Sequence, residues 1–154
     1  MEWLDEIRGK VVALDTTPLI YFIEENLAYL DLVRPFFEAM DRSEFHVVTS
    51  AVTLLEVLVH PFQRGDDGLA QQYRDILLGA EEMTTVFLSP EIAEGAARLR
   101  AMHSIRTPDA IQLATAIHEG ASFFLTNDSR LPSPSALRIL VLDKLRAQPQ
   151  QPHW

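Results

Sequence analysis

Short apolar runs rich in β-branched and aromatic residues alternate with longer amphipathic segments, and this alternation constrains the fold more than any other feature. The runs that predict buried strands cover residues 11–14, 45–49, 85–88, 122–125 and 137–141. Helical periodicity over ten or more residues separates most of them. Strands joined by helical crossovers pair in parallel and are covered on both faces. The sequence therefore predicts an α/β fold around a mainly parallel central sheet of about five strands.

Proline and glycine mark the ends of several predicted helices. The Thr-Pro pairs at residues 17–18 and 107–108 predict helix starts, with Thr as the N-cap and Pro at the first helical position. The helix after the second strand is expected to end before Pro61, because proline disrupts a helix interior. Gly120 is expected to stop the helix that begins at residues 107–108.

Length and composition are typical of one soluble domain. The chain has 154 residues, of which 47% are hydrophobic and 23% are charged. We expect a single domain at 1–146 and a flexible C-terminal tail at 147–154, where Gln and Pro are frequent. The chain has no cysteine, which excludes disulfides, cysteine-ligated zinc and iron–sulfur clusters and fits a cytoplasmic protein. No apolar run is long enough to span a bilayer, so we expect no membrane partner.

The overall charge limits the partners that the protein can have. It carries 13 basic and 22 acidic residues, a net charge of −9. An acidic surface repels phosphate backbones, which argues against a general nucleic-acid coating protein. An enzyme that meets nucleic acid through a metal ion and a local basic patch stays compatible with this charge. Arg98, Arg100 and Arg106 are the candidate patch, although a solvated helix face explains this run as well.

Four acidic residues fall where ligands bind in open parallel sheets, beyond the carboxyl ends of the strands. Asp15 closes the first strand and Asp128 follows the fourth, whereas Glu56 and Asp109 lie early in predicted helices. Each has a structural explanation of its own, as a helix cap, a turn residue or a solvated side chain. Gathered in one cleft, carboxylates 4 Å apart would repel by about 4 kcal/mol at an effective dielectric of 20. Such a cluster therefore needs protons or hard divalent cations, which can activate water against a phosphodiester.

The four acids lie in the segments VALDTTPLI at 12–20, LLEVL at 54–58, RTPDAIQLATA at 106–116 and FLTND at 124–128. These segments resemble the four motifs of PIN-domain ribonucleases, and most closely those of the VapC-type toxins of type II toxin–antitoxin pairs. Their order agrees with the family, and 41, 53 and 19 residues separate the successive acids. The resemblance implies a three-layer α/β/α sandwich and an endoribonuclease that depends on Mg²⁺ or Mn²⁺.

The same resemblance implies a role for each matching position. Catalytic and metal-binding roles fall on four acids, namely Asp15, Glu56, Asp109 and Asp128. Roles in substrate binding or in supporting the metal ligands fall on Thr16, Arg106, Thr126 and Asn127. The implied partners are an RNA substrate, a cognate antitoxin protein and a second copy of the chain in a homodimer. The family also uses apolar helices such as the one at residues 29–40 for docking, and core packing explains that helix equally well.

Two other functions stay open at the level of sequence. A catalytically inactive PIN-like module could bind protein or RNA, although intact acids at all four positions argue against it. A phosphoryl-aspartate hydrolase would use an Asp at the end of the first strand, but that class needs a second Asp where this chain has Thr17. The five histidines form no zinc-hydrolase motif.

Overall fold

The computed structural model of the protein describes residues 1–134 and 136–146. The strands are β1 (Val11–Leu14), β2 (His46–Ser50), β3 (Met83–Val86), β4 (Phe123–Thr126) and β5 (Arg138–Val141). The helices are α1 (Glu2–Ile7), α2 (Thr16–Ile23), α3 (Leu30–Asp41), α4 (Ala51–Arg64), α5 (Asp67–Arg74), α6 (Pro90–Met102), α7 (Thr107–His118) and α8 (Leu142–Arg146). A π-helical turn at Asp75–Gly79 continues α5. The tail predicted at 147–154 lies outside the described residues.

The five strands form one sheet in the order β3-β2-β1-β4-β5. Every neighbouring pair is parallel, and Val12 of the central strand lies opposite Val47 of β2 and Phe123 of β4. The chain therefore builds the sheet outward from β1 to β3 and then returns to add β4 on the other side of β1. Ligands bind at such a switch point, in the crevice beyond the carboxyl ends of the strands.

Alternate residues of each strand face two separate hydrophobic cores. Val12 and Leu14 pack into the first core, whereas Ala13 between them packs into the second. The first core includes residues of α1, α2, α3 and α5, among them Trp3, Leu19, Phe36, Phe37, Met40 and Tyr73. The second includes residues of α6 and α7, among them Ile92, Leu99, Ala110 and Leu113. The predicted α/β/α sandwich around a parallel sheet is thus confirmed.

The apolar residues of α3 belong to the core. Leu32, Val33, Phe36 and Phe37 are all buried. The ring of Phe36 stacks on Trp3 with 6.0 Å between centroids, and Phe37 stacks on Phe22 at 4.3 Å. Core packing therefore accounts for the apolar composition of this helix, and these side chains are not available for docking.

Two predicted helix starts are displaced. α2 begins at Thr16 because Asp15, rather than Thr17, occupies the N-cap and accepts a hydrogen bond from the backbone N–H of Thr16. α7 begins at Thr107 itself, with Arg106 at the N-cap. In both helices the first turn therefore includes the Thr that was expected to precede it.

The predicted end of α4 is wrong, because the helix continues through Pro61 to Arg64. It ends at Gly65, whose φ of 65° provides the left-handed conformation that closes many helices. The backbone N–H of Asp66 then donates to the carbonyl of Pro61 at 2.9 Å. The glycine sets the end of this helix, one turn beyond the proline. None of the helices in the described part of the chain is long and apolar enough to cross a membrane.

Candidate active site

Asp15 lies at the switch point, directly after β1, and joins the two central strands. Its Oδ1 accepts a hydrogen bond from the backbone N–H of Thr16 at 2.8 Å, and its Oδ2 accepts one from Thr126 Oγ1 at 2.7 Å. Burial raises the pKa of the Asp15 carboxyl, the two hydrogen bonds oppose this, and the charges of Asp109 and Glu56 raise it further. The carboxylates of Glu56 and Asp109 are therefore both close enough for their charges to act on Asp15.

Glu56 reaches this region from the exposed side of α4. Its Oε1 accepts a hydrogen bond from Thr16 Oγ1 at 2.9 Å. Thr16 is itself buried, so its hydroxyl holds the exposed carboxylate against the start of α2. The position that the family resemblance assigns to supporting the metal site thus contacts one of the four acids directly.

Asp109 lies in the first turn of α7, where a carboxylate also complements the helix dipole. Its Oδ2 is 3.6 Å from Nε of Arg106, and 21% of the Asp109 side chain is exposed. The Arg106 side chain is 79% exposed, so its guanidinium is open to solvent at the edge of the acids.

Asp128, two residues beyond β4, is held by the turn that it begins. Its backbone N–H donates to Thr126 Oγ1 at 3.0 Å, and its Oδ1 accepts from the backbone N–H of Arg130 at 2.9 Å. The Arg130 side chain also contacts both carboxylate oxygens, with Nε 3.1 Å from Oδ1 and Nη2 3.3 Å from Oδ2. The hydrogen bond from Arg130 lowers the pKa of Asp128, partial burial opposes this, and the charge of Arg106 lowers it further.

The charges around Asp109 and those around Asp128 act on each other. The pKa of Arg130 is raised chiefly by its hydrogen bond to Asp128, and the charge of Asp109 adds to this effect. Arg106 pairs with Asp109, and its charge also lowers the pKa of Asp128. The carboxyl ends of β1 and β4 and the start of α7 therefore share one acidic region, with Arg106 and Arg130 among the acids. It lies at the edge where ligand crevices form in open parallel sheets, and we refer to it as the crevice.

Asn127 is placed differently from the other predicted residues. Its Nδ2 donates to the hydroxyl of Tyr21 at 3.3 Å, and its Oδ1 accepts from the backbone N–H of Asp143 at 3.0 Å. These contacts connect the loop after β4 to α2 and to the first turn of α8. The side chain of Asn127 thus anchors the loop that carries Asp128.

A buried polar network beneath the acids was not predicted. Gln112 of α7 donates from Nε2 to Thr53 Oγ1 at 2.7 Å, and its Oε1 accepts from Ser50 Oγ at 2.9 Å. Thr49 Oγ1 donates to the carbonyl of Leu14 at 2.8 Å and lies 2.8 Å from Thr53 Oγ1. The signal in the sequence is a set of polar residues inside otherwise apolar segments. The network joins β1, β2, α4 and α7 below the crevice.

The donor chemistry of the crevice fits a hard divalent cation. Carboxylate oxygens are the ligands that Mg²⁺ and Mn²⁺ prefer, and the charges of Glu56 and Asp109 both act on Asp15. Each oxygen of Asp15 accepts one protein hydrogen bond and has a second lone pair. Within residues 1–134 and 136–146, no group of three or more His, Asp or Glu side chains stands close enough to hold an ion. Asp109 and Asp128 are paired with arginines instead.

Fold and site together define a class, the three-layer parallel α/β proteins with an acidic crevice at the switch point of the sheet. The model of the PIN domain family matches residues 12–136, well over half of the chain. The protein belongs to the PIN domain family. The comparison with curated proteins gives no match.

Solved structures show the same fold. The structure of VapBC2 from Rickettsia felis bound to a DNA fragment from their promoter contains a chain 19% identical to this one, with a TM-score of 0.66. The match covers 85% of this chain and 98% of that chain. A chain of VapBC-5 from Mycobacterium tuberculosis, a member of the VapBC family of toxin-antitoxin systems, is 21% identical with a TM-score of 0.57, over 86% and 99% of the two chains. A toxin-antitoxin complex from Klebsiella pneumoniae gives 22% identity and a TM-score of 0.57, over 82% and 94%.

Proposed function

We propose that the protein is a divalent-metal-dependent endoribonuclease and the toxin of a bacterial toxin–antitoxin pair. PIN-domain toxins are generally nucleases and typically use divalent metals, and this chain matches the family over residues 12–136. The observation that carries the proposal is the position of Asp15 at the end of β1, where Thr16 and Thr126 hold its two oxygens and the charges of Glu56 and Asp109 both act on it. Carboxylates that act on one another in this way repel, and a divalent cation bound beyond the carboxyl ends of the central strands would relieve that repulsion.

In this proposal four acids, Asp15, Glu56, Asp109 and Asp128, hold Mg²⁺ or Mn²⁺. When bound, the ion supplies an activated water and neutralises charge on the scissile phosphodiester. The chain's own residues orient the site. Thr126 and the backbone of Thr16 fix both oxygens of Asp15, and the Thr16 hydroxyl fixes Glu56. Arg106, exposed at the edge of the crevice, is placed to meet an RNA phosphate.

The proposed partners follow from the same site. The matched structures are toxin-antitoxin complexes, which supports a cognate antitoxin for this chain. A basic side chain of that antitoxin entering the crevice would pair with its carboxylates and inhibit the enzyme directly. We also propose a homodimer, and we assign the nuclease domain to residues 1–146.

Cleavage of a structured RNA tests the proposed function. We expect purified protein to cleave it with Mn²⁺ or Mg²⁺ and to lose this activity in EDTA. Asp15→Asn removes a proposed ligand and should abolish cleavage. Asp5→Asn, which changes an exposed acid on α1, should leave cleavage unchanged.

Two outcomes would contradict the proposal. Cleavage that persists in EDTA, or that is equal in Asp15→Asn and the wild type, would separate the activity from the acidic crevice. Binding of RNA with no cleavage under any metal condition would favour an inactive binding module.

A further inference from the structure

Arg130 holds Asp128 with more contacts than an ordinary surface ion pair. Its Nε and Nη2 contact the two carboxylate oxygens separately, at 3.1 and 3.3 Å, and its backbone N–H adds a third contact at 2.9 Å. The fork of a guanidinium matches a carboxylate in this two-point arrangement. The arginine therefore occupies a lone pair on each of the two oxygens that Asp128 would offer to a cation.

The solvent exposure of the Arg130–Asp128 pair indicates that the contact does not serve folding stability. The Arg130 side chain is 85% exposed, whereas 25% of the Asp128 side chain is exposed. Exposed ion pairs contribute little to folding stability, so stability does not explain the arrangement. A long side chain in solvent can leave one partner for another without disturbing the core.

We propose that Arg130 is the internal counter-ion of Asp128, which a divalent metal displaces, and that its freed guanidinium then binds an RNA phosphate beside the site. This inference rests on the proposed function, because it needs both the metal and the RNA. In the metal-free protein the positive charge neutralises an acid of the crevice. With the metal bound, two like charges would face each other across Asp128, and a phosphate becomes the better partner for the guanidinium.

The negative charge of the whole chain gives a reason for Arg130 to exchange Asp128 for an RNA phosphate. The protein has a net charge of −9, so an RNA backbone needs local cations to approach the crevice. Arg106 stands on the Asp109 side and Arg130 on the Asp128 side, and both are largely exposed. The metal-loaded site would therefore present two guanidinium groups to the phosphates that flank the scissile bond.

Binding of Mn²⁺ alone tests the first half of the inference. We expect Arg130→Ala to bind Mn²⁺ roughly twofold to fivefold more tightly than the wild type in a calorimetric titration, since that range corresponds to one exposed ion pair. Arg42→Ala is the matched control. Arg42 is also exposed and paired with a carboxylate, 2.7 Å from Glu44, but it caps the end of α3, which leads into the amino end of β2 and not to the carboxyl ends of the strands. Its Mn²⁺ affinity should equal that of the wild type.

Binding of a fluorescein-labelled single-stranded oligouridine tests the second half. With Ca²⁺ present, we expect Arg130→Ala to weaken binding and to reduce the slope of log K against log salt concentration by about 0.7, the value for one phosphate contact to a single strand. The loss should be smaller in EDTA, where Arg130 pairs with Asp128. Arg130→Lys should keep most of the salt slope, because it keeps the charge but not the fork.

The outcomes separate this inference from the proposed function. Equal or weaker Mn²⁺ binding by Arg130→Ala, or an effect on RNA no larger than that of Arg42→Ala, would overturn the role of Arg130 while the nuclease stands. A wild type that neither binds Mn²⁺ nor cleaves RNA would overturn both.

Discussion

At the scale of single residues, Asp15 carries a charge in an environment that opposes it. Burial raises its pKa, and the charges of Asp109 and Glu56 act in the same direction. The pKa of Asp15 in the folded state therefore lies above its value in the unfolded chain. Protonated Asp15 contributes favourably to folding stability, and this contribution is lost as pH rises through the folded-state pKa. At neutral pH the ionised Asp15 therefore destabilises the metal-free protein.

Asp15→Asn should raise the melting temperature of the metal-free protein at pH 7. We expect a gain of about 1 kcal/mol, or roughly 2–4 °C for a chain of this size. The gain should shrink as pH falls toward the ordinary carboxyl pKa, because the wild-type side chain then becomes neutral. Thermal melts in EDTA at several pH values measure this difference.

A lower melting temperature of Asp15→Asn at pH 7 would show the opposite balance. The two hydrogen bonds that Asp15 accepts from Thr16 and Thr126 would then outweigh the effect of burial and of the neighbouring acids. Asp5→Asn on α1 serves as the control for loss of one negative charge.

The sequence located the acids but not what holds them. Asp15 and Asp128 follow short apolar runs, and the ends of parallel strands meet at one edge of a sheet, so their proximity could be predicted. The contacts between Gln112, Thr53 and Ser50 depend on how α7 packs beside α4. No local pattern encodes that packing, and these residues were therefore missed.

At the scale of elements, Gln112 connects helices that carry two different acids. α4 carries Glu56 and α7 carries Asp109, and the amide of Gln112 binds Thr53 of α4 and Ser50 at its N-cap. All three side chains are buried, so their polar atoms depend on one another for hydrogen bonds. The network thus fixes the spacing of the two helices at the floor of the crevice.

Gln112→Ala should destabilise the protein by about 1–3 kcal/mol, because it leaves buried hydroxyls without their partners. Urea denaturation measures this change. Gln72→Ala, on the exposed side of α5, is the control and should have little effect. Since Gln112 acts through the helices, we also expect kcat for RNA cleavage to fall more than KM rises. An unchanged unfolding free energy would show that the network is not required for stability.

Helix boundaries show why local signals reach only part of the way. Ser89 caps α6 and Pro90 is its first residue, a local pattern typical of helix starts. Pro61 was expected to end α4, but it lies in the last turn, where Gly65 supplies the helix end. α1 has six residues and was not predicted, because its place in the structure depends on burying Trp3 and Ile7 in the first core.

At the scale of the whole molecule, the crevice joins segments from across the chain, so a ligand there should stabilise the entire fold. We expect Mn²⁺ to raise the melting temperature of the wild type in a concentration-dependent way, because it binds the folded state. Asp109→Asn should show a smaller shift, since it removes a proposed ligand from the start of α7.

An equal shift in Asp109→Asn and the wild type would count against a shared metal site. Asp5→Asn again provides the control, because its carboxylate lies on α1 and pairs with Arg8. Its response to Mn²⁺ should match that of the wild type.

The sequence was enough to predict the fold class but not the order of the strands in the sheet. Alternating strands and helices indicated a parallel sheet with helices on both faces, and the structure has both. The strand order could not be read from the same pattern, because several orders satisfy it equally. The pairing of β1 with β4 brings Thr126 next to Asp15, and it depends on tertiary packing that no local sequence pattern encodes.

That pairing has a consequence for how the protein is made. Asp15 leaves the ribosome 111 positions before Thr126, the residue whose hydroxyl donates to it. Contacts between such distant parts of a chain form late, after the local ones. A nascent chain that stops before β4 has neither Thr126 nor Asp128 to complete the crevice. The proposed crevice would therefore be complete only after the ribosome has synthesised β4 and the turn at Asp128.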